Sequence, residues 1–403
     1  MKVDRQAGLP QSLLLLLGSC LPVLGAVLLA PVLPRMQTHF ADTPGVAVLV
    51  PVALTLPALV IALVAPFAGI LADRIGRKPL LLVSMLLYSV FGTLPLWLES
   101  LLAIVLSRAG IGLTEAAIMT CCTTLMGDYY NGARRERLFA LQMVVTSLAA
   151  AVFIGVGGLL GEGGWRTPFS LYAVGLVLLP LMALWLWEPK NGVVASPLHS
   201  TMPMPWRKLL PLLGLALLAG SSLFIVPVQA GYLLNLLGVE KPQQIGMTMG
   251  GNQLGVVLGA LSFRLIGRIR PSTLLLLAFA LAGGGGLLMA SAASHTTVWA
   301  AVFINGLGIG LMLPTLITHI MGLVTFSQRG RASGFFTAAI FAGEFISPLA
   351  VLALTAGVAN ALPTALAVIG GLQWLVALGC LRINTNVAQN RTADVGPTLG
   401  DNI

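Results

Sequence analysis

Runs of about twenty or more mostly apolar residues recur from one end of this 403-residue chain to the other. A helix needs about 20 such residues to cross the hydrocarbon of a bilayer. There the backbone must satisfy its own hydrogen bonds, so long apolar runs of this kind read as helices. Six are expected at 12–34, 46–72, 79–97, 101–127, 138–161 and 169–187. After a polar break, six more are expected at 208–237, 244–266, 272–293, 297–322, 332–357 and 361–382. Only 9% of the residues are charged, against about 25% in soluble domains, which excludes an ordinary soluble fold. The first run is too long for a signal-peptide core and lacks a clear small-residue cleavage site, so it reads as a retained span. The expected fold is an all-α integral membrane protein of twelve transmembrane helices.

Charge sets the expected orientation, because cytoplasmic loops carry the excess of Lys and Arg. With both termini inside, the inner face collects Lys2, Arg5, Arg74, Arg77, Lys78, Arg134, Arg135, Arg137, Lys190, Arg207, Lys208, Arg264, Arg268, Arg270, Arg329, Arg331, Arg382 and Arg391. The outer face holds Arg35, Arg166 and Lys241, and Arg108 stays within a span. The net charge of +9 then faces anionic lipid and calls for no nucleic acid. Cys20, Cys121, Cys122 and Cys380 lie in apolar spans without metal-ligand spacing and read as packing residues.

Six runs, a Pro- and Ser-containing stretch, then six more runs is the layout of an internal duplication. The expected division is a six-helix bundle over 1–187, a cytoplasmic linker over 188–207, a second six-helix bundle over 208–383 and a polar cytoplasmic tail over 384–403. A weak echo links the halves: "DRIGRK" after the second run and "RLIGRI" after the eighth. Repeated halves place a substrate site at their interface near mid-membrane.

Four charged side chains crowd into "GILADRIGRKPL" (69–80). This loop resembles the signature between spans two and three of major facilitator superfamily transporters, matching at Gly69, Leu71, Asp73, Arg74, Gly76, Arg77 and Lys78. "SRAGIGLTEAA" (107–117) is similar to a fourth-span motif of several branches, carried here by Arg108, Gly112 and Glu115. "GGLLGEGGWRTPF" (157–169) is similar to the end of the fifth span in drug:proton antiporters. That pattern has glycine and proline where this chain has Phe153 and Ile154. The resemblance implies two pseudo-symmetric six-helix bundles that rock about a central pocket. It also implies that Asp73 latches the halves on the inner side when the protein is open outward, with the start of span eleven, near Arg331 to Gly334, as its partner. Gly69 is expected to permit close helix approach and Gly76 a tight turn.

Ionisable groups at membrane depth are expensive, and they face cavities, pair, or carry protons. Arg108 and Glu115 are seven residues apart and share one helix face. With Glu344 in "FAGEFISPL" and His319 near the inner end of span ten, they are the candidates for proton coupling or substrate binding. Gln229, Asn252, Gln253 and Asn305 are uncharged polar residues within spans, open to substrate contact or to helix–helix hydrogen bonding. Pro227 and Pro348 are candidates for helix breaks near a site.

No Walker motif, H-E-x-x-H or G-x-S-x-G occurs, so neither ATP hydrolysis nor intramembrane catalysis is expected. The expected function is proton-coupled secondary transport of a small organic molecule across the cell membrane, with export as the favoured direction. Proton-coupled import of an organic anion, with Arg108 as the anion contact, stands beside it. The proton is the coupling ion and no cofactor is expected. The partners are a small-molecule substrate and membrane lipid, and the chain is expected to work as a monomer.

Overall fold

A computed structural model describes residues 7–189, 203–266, 269–325 and 328–381. The expected tail, most of the expected linker, and Gly267 and Arg268 of the echo lie outside them. The first expected run is two helices, α1 (Leu9–Val27) and α2 (Leu33–His39), joined by a single tight turn at Ala30–Val32. Pro31 and Pro34 explain the interruption, since neither has an N–H for the carbonyl four residues back. Next come α3 (Val46–Ile75), α4 (Arg77–Thr93), α5 (Leu101–Tyr129), α6 (Gly132–Gly161) and α7 (Val174–Trp185). The second half contributes α8 (Trp206–Leu236), α9 (Pro242–Ile266), α10 (Pro271–Ala290), α11 (His295–Leu323), α12 (Arg329–Thr355) and α13 (Leu362–Cys380).

Eleven segments among the described residues are long and apolar enough to cross a membrane. The expected eighth run differs. Its helix, α9, has 25 residues, but Gln243, Gln244, Asn252 and Gln253 make it less apolar than the others. The molecular surface carries the same message, because large apolar side chains such as Leu184, Leu265 and Phe67 stand exposed. On a soluble protein such a surface would be an association site; here it suits lipid.

In the first half, α1, α3 and α4 pack on α5, and α4 also on α7. In the second, α9 and α10 pack on α11, α8 on α12, and α10 on α13. The halves meet most extensively at α6 with α9 and α3 with α12, and also at α2 with α8. At two glycines the α6–α9 contact brings backbone against backbone. A Cβ on Gly158 would stand 2.6 Å from the Pro242 carbonyl oxygen, and one on Gly246 would stand 2.9 Å from that of Ile154. Just beyond it, Glu162 accepts the backbone N–H of Gln243 at the start of α9 (3.1 Å) and pairs with Arg35 at 3.8 Å. Arg35 also donates to the Gly161 carbonyl at 2.8 Å. A carboxylate at a helix N-terminus meets unpaired N–H groups and the positive end of the dipole. The halves are thereby fastened at the end that carries Arg35, opposite the basic loop.

At the basic end, Gly76 has φ +102°, a conformation open to glycine, and it separates α3 from α4. The Glu188 carboxylate accepts the N–H groups of Arg77 (2.9 Å) and Lys78 (2.7 Å), capping α4. Arg77 pairs with Asp128 on α5, and the Lys78 ammonium donates to the Ala183 carbonyl at 2.7 Å. Arg74 is exposed. The loop is thus tied to the ends of α5 and α7 in its own half. Asp73 is exposed and pairs with Arg77, four residues on, at 3.4 Å. One expectation needs correction. A Cβ on Gly69 would meet nothing within 4 Å, so no helix approaches it closely.

Candidate functional site

A cavity of about 480 Å³ lies between the halves. Its wall is built by α1, α3, α5 and α6 from one half and by α8, α9 and α12 from the other. Glu115 enters from α5 and Glu344 from α12. The remaining polar lining is uncharged: Ser19, Thr123, Gln142, Thr146, Ser147 and Gln253. No Lys, Arg or His is among the lining residues.

Neither acid has a counter-charge among the residues of the cavity wall. Glu115 is 1% exposed, and its Oε1 is buried without a hydrogen-bond partner. It packs directly on Gly25 of α1, where any Cβ would overlap the carboxylate. Glu344 is followed four residues later by Pro348, which offers its carbonyl no N–H. Ser221 on α8 fixes the neighbouring turn by donating to the Gly343 carbonyl at 2.9 Å. Contrary to expectation, Pro227 and Pro348 break neither helix: α8 and α12 run through them.

Arg108 lines neither this cavity nor the second one described below. It is fully enclosed behind the wall. Its Nε donates to the Ala53 carbonyl (3.0 Å), Nη2 to the Gly25 carbonyl (2.6 Å) and Nη1 to the Tyr172 hydroxyl (2.6 Å). The two carbonyls explain the arrangement. Residue 57 is proline, so Ala53 has no amide partner four residues on. The last bond of α1 runs from Leu28 N–H to the Leu24 carbonyl, which makes Gly25 the next carbonyl in need of a donor. Arg108 satisfies both helix interruptions at once. Tyr88 packs on Tyr172 and donates to Leu21 of α1 at 2.8 Å, bracing the same place.

The other candidates separate by depth. Gln253 lines the acid-bearing cavity, and Gln229 lines a second cavity. Asn252 and Asn305, taken as candidate substrate contacts, lie in helix packing instead. Asn252 Nδ2 donates to the Val302 carbonyl (2.8 Å) and to Asn305 Oδ1 (3.3 Å), and Asn305 Nδ2 to the Ala282 carbonyl (3.0 Å). Together they tie α9, α10 and α11. His319 is buried on α11 and lines neither cavity.

Among known families, the Major Facilitator Superfamily model matches residues 15–348. The chain belongs to the Major Facilitator Superfamily. Its long apolar helices are those of a multi-pass membrane protein, and its relatives include tetracycline and quinolone resistance proteins. One relative is the tetracycline resistance protein, class H, of Pasteurella multocida, 30% identical over 187 residues. That match covers 46% of each chain, so this chain spans about half the length of that relative. The quinolone resistance protein NorA of Staphylococcus aureus is 24% identical over 343 residues, covering 82% of this chain and 86% of NorA. Among solved structures, a bacterial homologue of the human lysosomal transporter Spinster superposes with TM-score 0.75 at 15% identity. It covers 93% of this chain and 97% of that one, a likeness of fold.

Several members of this superfamily site escape a reading by motif. Tyr172 is an ordinary residue of the stretch after the fifth-span glycines, yet it holds Arg108. Glu162 sits inside that glycine-rich run, and Glu188 and Asp128 are distant in sequence from the loop they hold. Gly25 carries no motif at all. The one available signal was Pro57, whose missing N–H calls for a donor at Ala53.

Proposed function

We infer that this superfamily member exports a small organic molecule in exchange for protons by alternating access. The observation that carries the reading is the pair Glu115 and Glu344, one from each half, in the wall of one cavity. Carboxyl groups that must alternate between a low-dielectric pocket and water are suited to taking up and releasing protons. A wall with two acids and no base accepts neutral or cationic molecules. The enclosure of Arg108 counts against the importer of organic anions, which would need that guanidinium in the pocket.

In this reading the chain crosses the membrane twelve times, α9 included, with both termini cytoplasmic. The bodies that rock are 1–187 and 208–383, joined by 188–207, with 384–403 as a tail, and a single chain suffices for transport. The fastened α6–α9 end faces outward and the basic loop inward, so the cavity serves the cytoplasmic side. The unlatched Asp73 agrees with an inner face that is open. Glu115 and Glu344 bind protons or substrate, and Arg108 holds the helices that present Glu115.

Tetracycline and a quinolone are the first substrates to try, from the names of the relatives. The test measures their accumulation in proteoliposomes of known orientation under pH gradients of each sign. Export by exchange requires accumulation in inside-out vesicles with an acidic lumen. Uptake into right-side-out vesicles driven by an inward proton gradient would overturn it.

A further inference from the structure

A second cavity of about 500 Å³ lies toward the end of the molecule that carries Arg35, again between the halves. It shares no lining residue with the acid-bearing cavity. The two are separated by about half to one helical turn: Pro51 lines one and Leu54 the other, and likewise Gln229 and Pro227, and Pro348 and Glu344. Its volume is within the range of small-molecule sites, about 300–1,000 Å³.

Its chemistry differs from that of its neighbour. No Asp, Glu, Lys, Arg or His is among its lining residues. One wall presents Gln229, Tyr232 and Asn235, spaced by three residues along one face of α8. Such spacing stacks side chains at steps of about 4.5 Å. All three are short of partners. The Tyr232 hydroxyl and Asn235 Oδ1 are buried without a hydrogen bond. Gln229 is 7% exposed, and no hydrogen bond of its amide is found among the described residues. Buried polar atoms in proteins are nearly always bonded. Two unmet buried atoms beside the unbonded Gln229 amide, on one face of a chamber without charged lining residues, therefore mark a place where hydrogen bonds come from a guest.

We propose that this chamber is a second binding site, for an uncharged molecule that carries hydrogen-bond donors and acceptors on an apolar body. Asn235 Oδ1 requires a donor from the guest, whereas Tyr232 and Gln229 each give and accept. A charged guest would lie in a low-dielectric space with no counter-charge, which is strongly unfavourable. The apolar body packs on Pro34, Pro51, Val351 and Leu362 from the facing helices. The inference goes beyond the transport reading and does not depend on its direction or coupling ion.

The test uses the full chain purified in lipid nanodiscs, with two probes. Dansylamide is uncharged near pH 7, offers sulfonamide N–H and S=O groups beside a naphthalene ring, and brightens in apolar sites. Tetraphenylphosphonium is a cation without hydrogen-bonding groups. Dansylamide is expected to bind saturably. Gln229→Leu and Tyr232→Phe should each weaken it about fivefold, the equivalent of one net hydrogen bond, while tetraphenylphosphonium binding stays unchanged. Glu115→Gln should leave dansylamide affinity unaltered. Thr38→Trp fills the chamber from the exposed α2 side and leaves the residues of α8 unchanged, and should abolish dansylamide binding in a folded protein. Absence of saturable dansylamide binding to the parent, or binding indifferent to Thr38→Trp, would overturn the proposal.

Discussion

Arg108 donates its Nε–H to the carbonyl of Ala53 across 3.0 Å. That carbonyl is the one Pro57 leaves without an amide. A guanidinium at membrane depth is thereby assigned to the repair of helix interruptions, with Gly25 as its second client at 2.6 Å. Hydrogen bonds from a charged donor are each worth about 1.5–3 kcal/mol, and here they hold α1, α3 and α5 together.

Arg108→Leu removes all three bonds and leaves two buried carbonyls unmet. The expected loss of stability is about 3–5 kcal/mol, read as a lower unfolding temperature of the purified protein. Arg108→Lys, with one compact donor group in place of a fork, should fall between parent and Leu variant. An unfolding temperature unmoved by Arg108→Leu would contradict the clamp.

Glu115→Gln and Glu344→Gln keep size and hydrogen-bonding capacity but cannot ionise. Each should lower gradient-driven accumulation by about tenfold, equal to 1.4 kcal/mol, and flatten its dependence on pH. Exchange of substrate at equal pH on both sides should survive. If both variants follow the pH profile of the parent, the carboxyl groups are not the coupling sites.

Gly25→Ala places a methyl where the Glu115 carboxylate lies. Overpacking of this kind costs about 1–3 kcal/mol, and the displaced acid should reproduce the flattened profile of Glu115→Gln. In a double variant with Glu115→Ala the methyl enters vacated space, so the stability losses should be less than additive. Strict additivity would mean that the two residues do not touch.

Asp73→Asn tests the loop. The Asp73–Arg77 pair is a surface contact with Asp73 59% exposed, and such pairs contribute about 0–1 kcal/mol. Unfolding temperature should stay nearly constant while turnover falls, because the acid is free to engage the other half when the basic end closes. Parental turnover in Asp73→Asn would remove the latch.

The helical ladder of this fold is legible in the sequence because lipid leaves a chain few alternatives, and the charge-rich loop is legible because its glycine marks a turn. Rotation of each helix is not. Asn252 and Gln253 are neighbours, about 100° apart around α9, and one ties α11 while the other reaches the cavity. No periodicity separates them, since polar residues serve both purposes. Arg108 and Glu115 share a face by arithmetic, yet about two turns' difference in depth puts one behind the wall and one in it. The interruption of α1 was hidden as well, because Pro31 and Pro34 fall inside a run that hydropathy treats as continuous.

At Gly158 and Gly246 the seam between α6 and α9 lays main chain on main chain, with no room for a Cβ between them. A contact of that kind has no half-way positions: it is made or lost as a whole. The far end of this carrier should therefore behave as a snap fastener, opening in single abrupt events, and one added methyl should spoil its closure outright instead of loosening it by degrees.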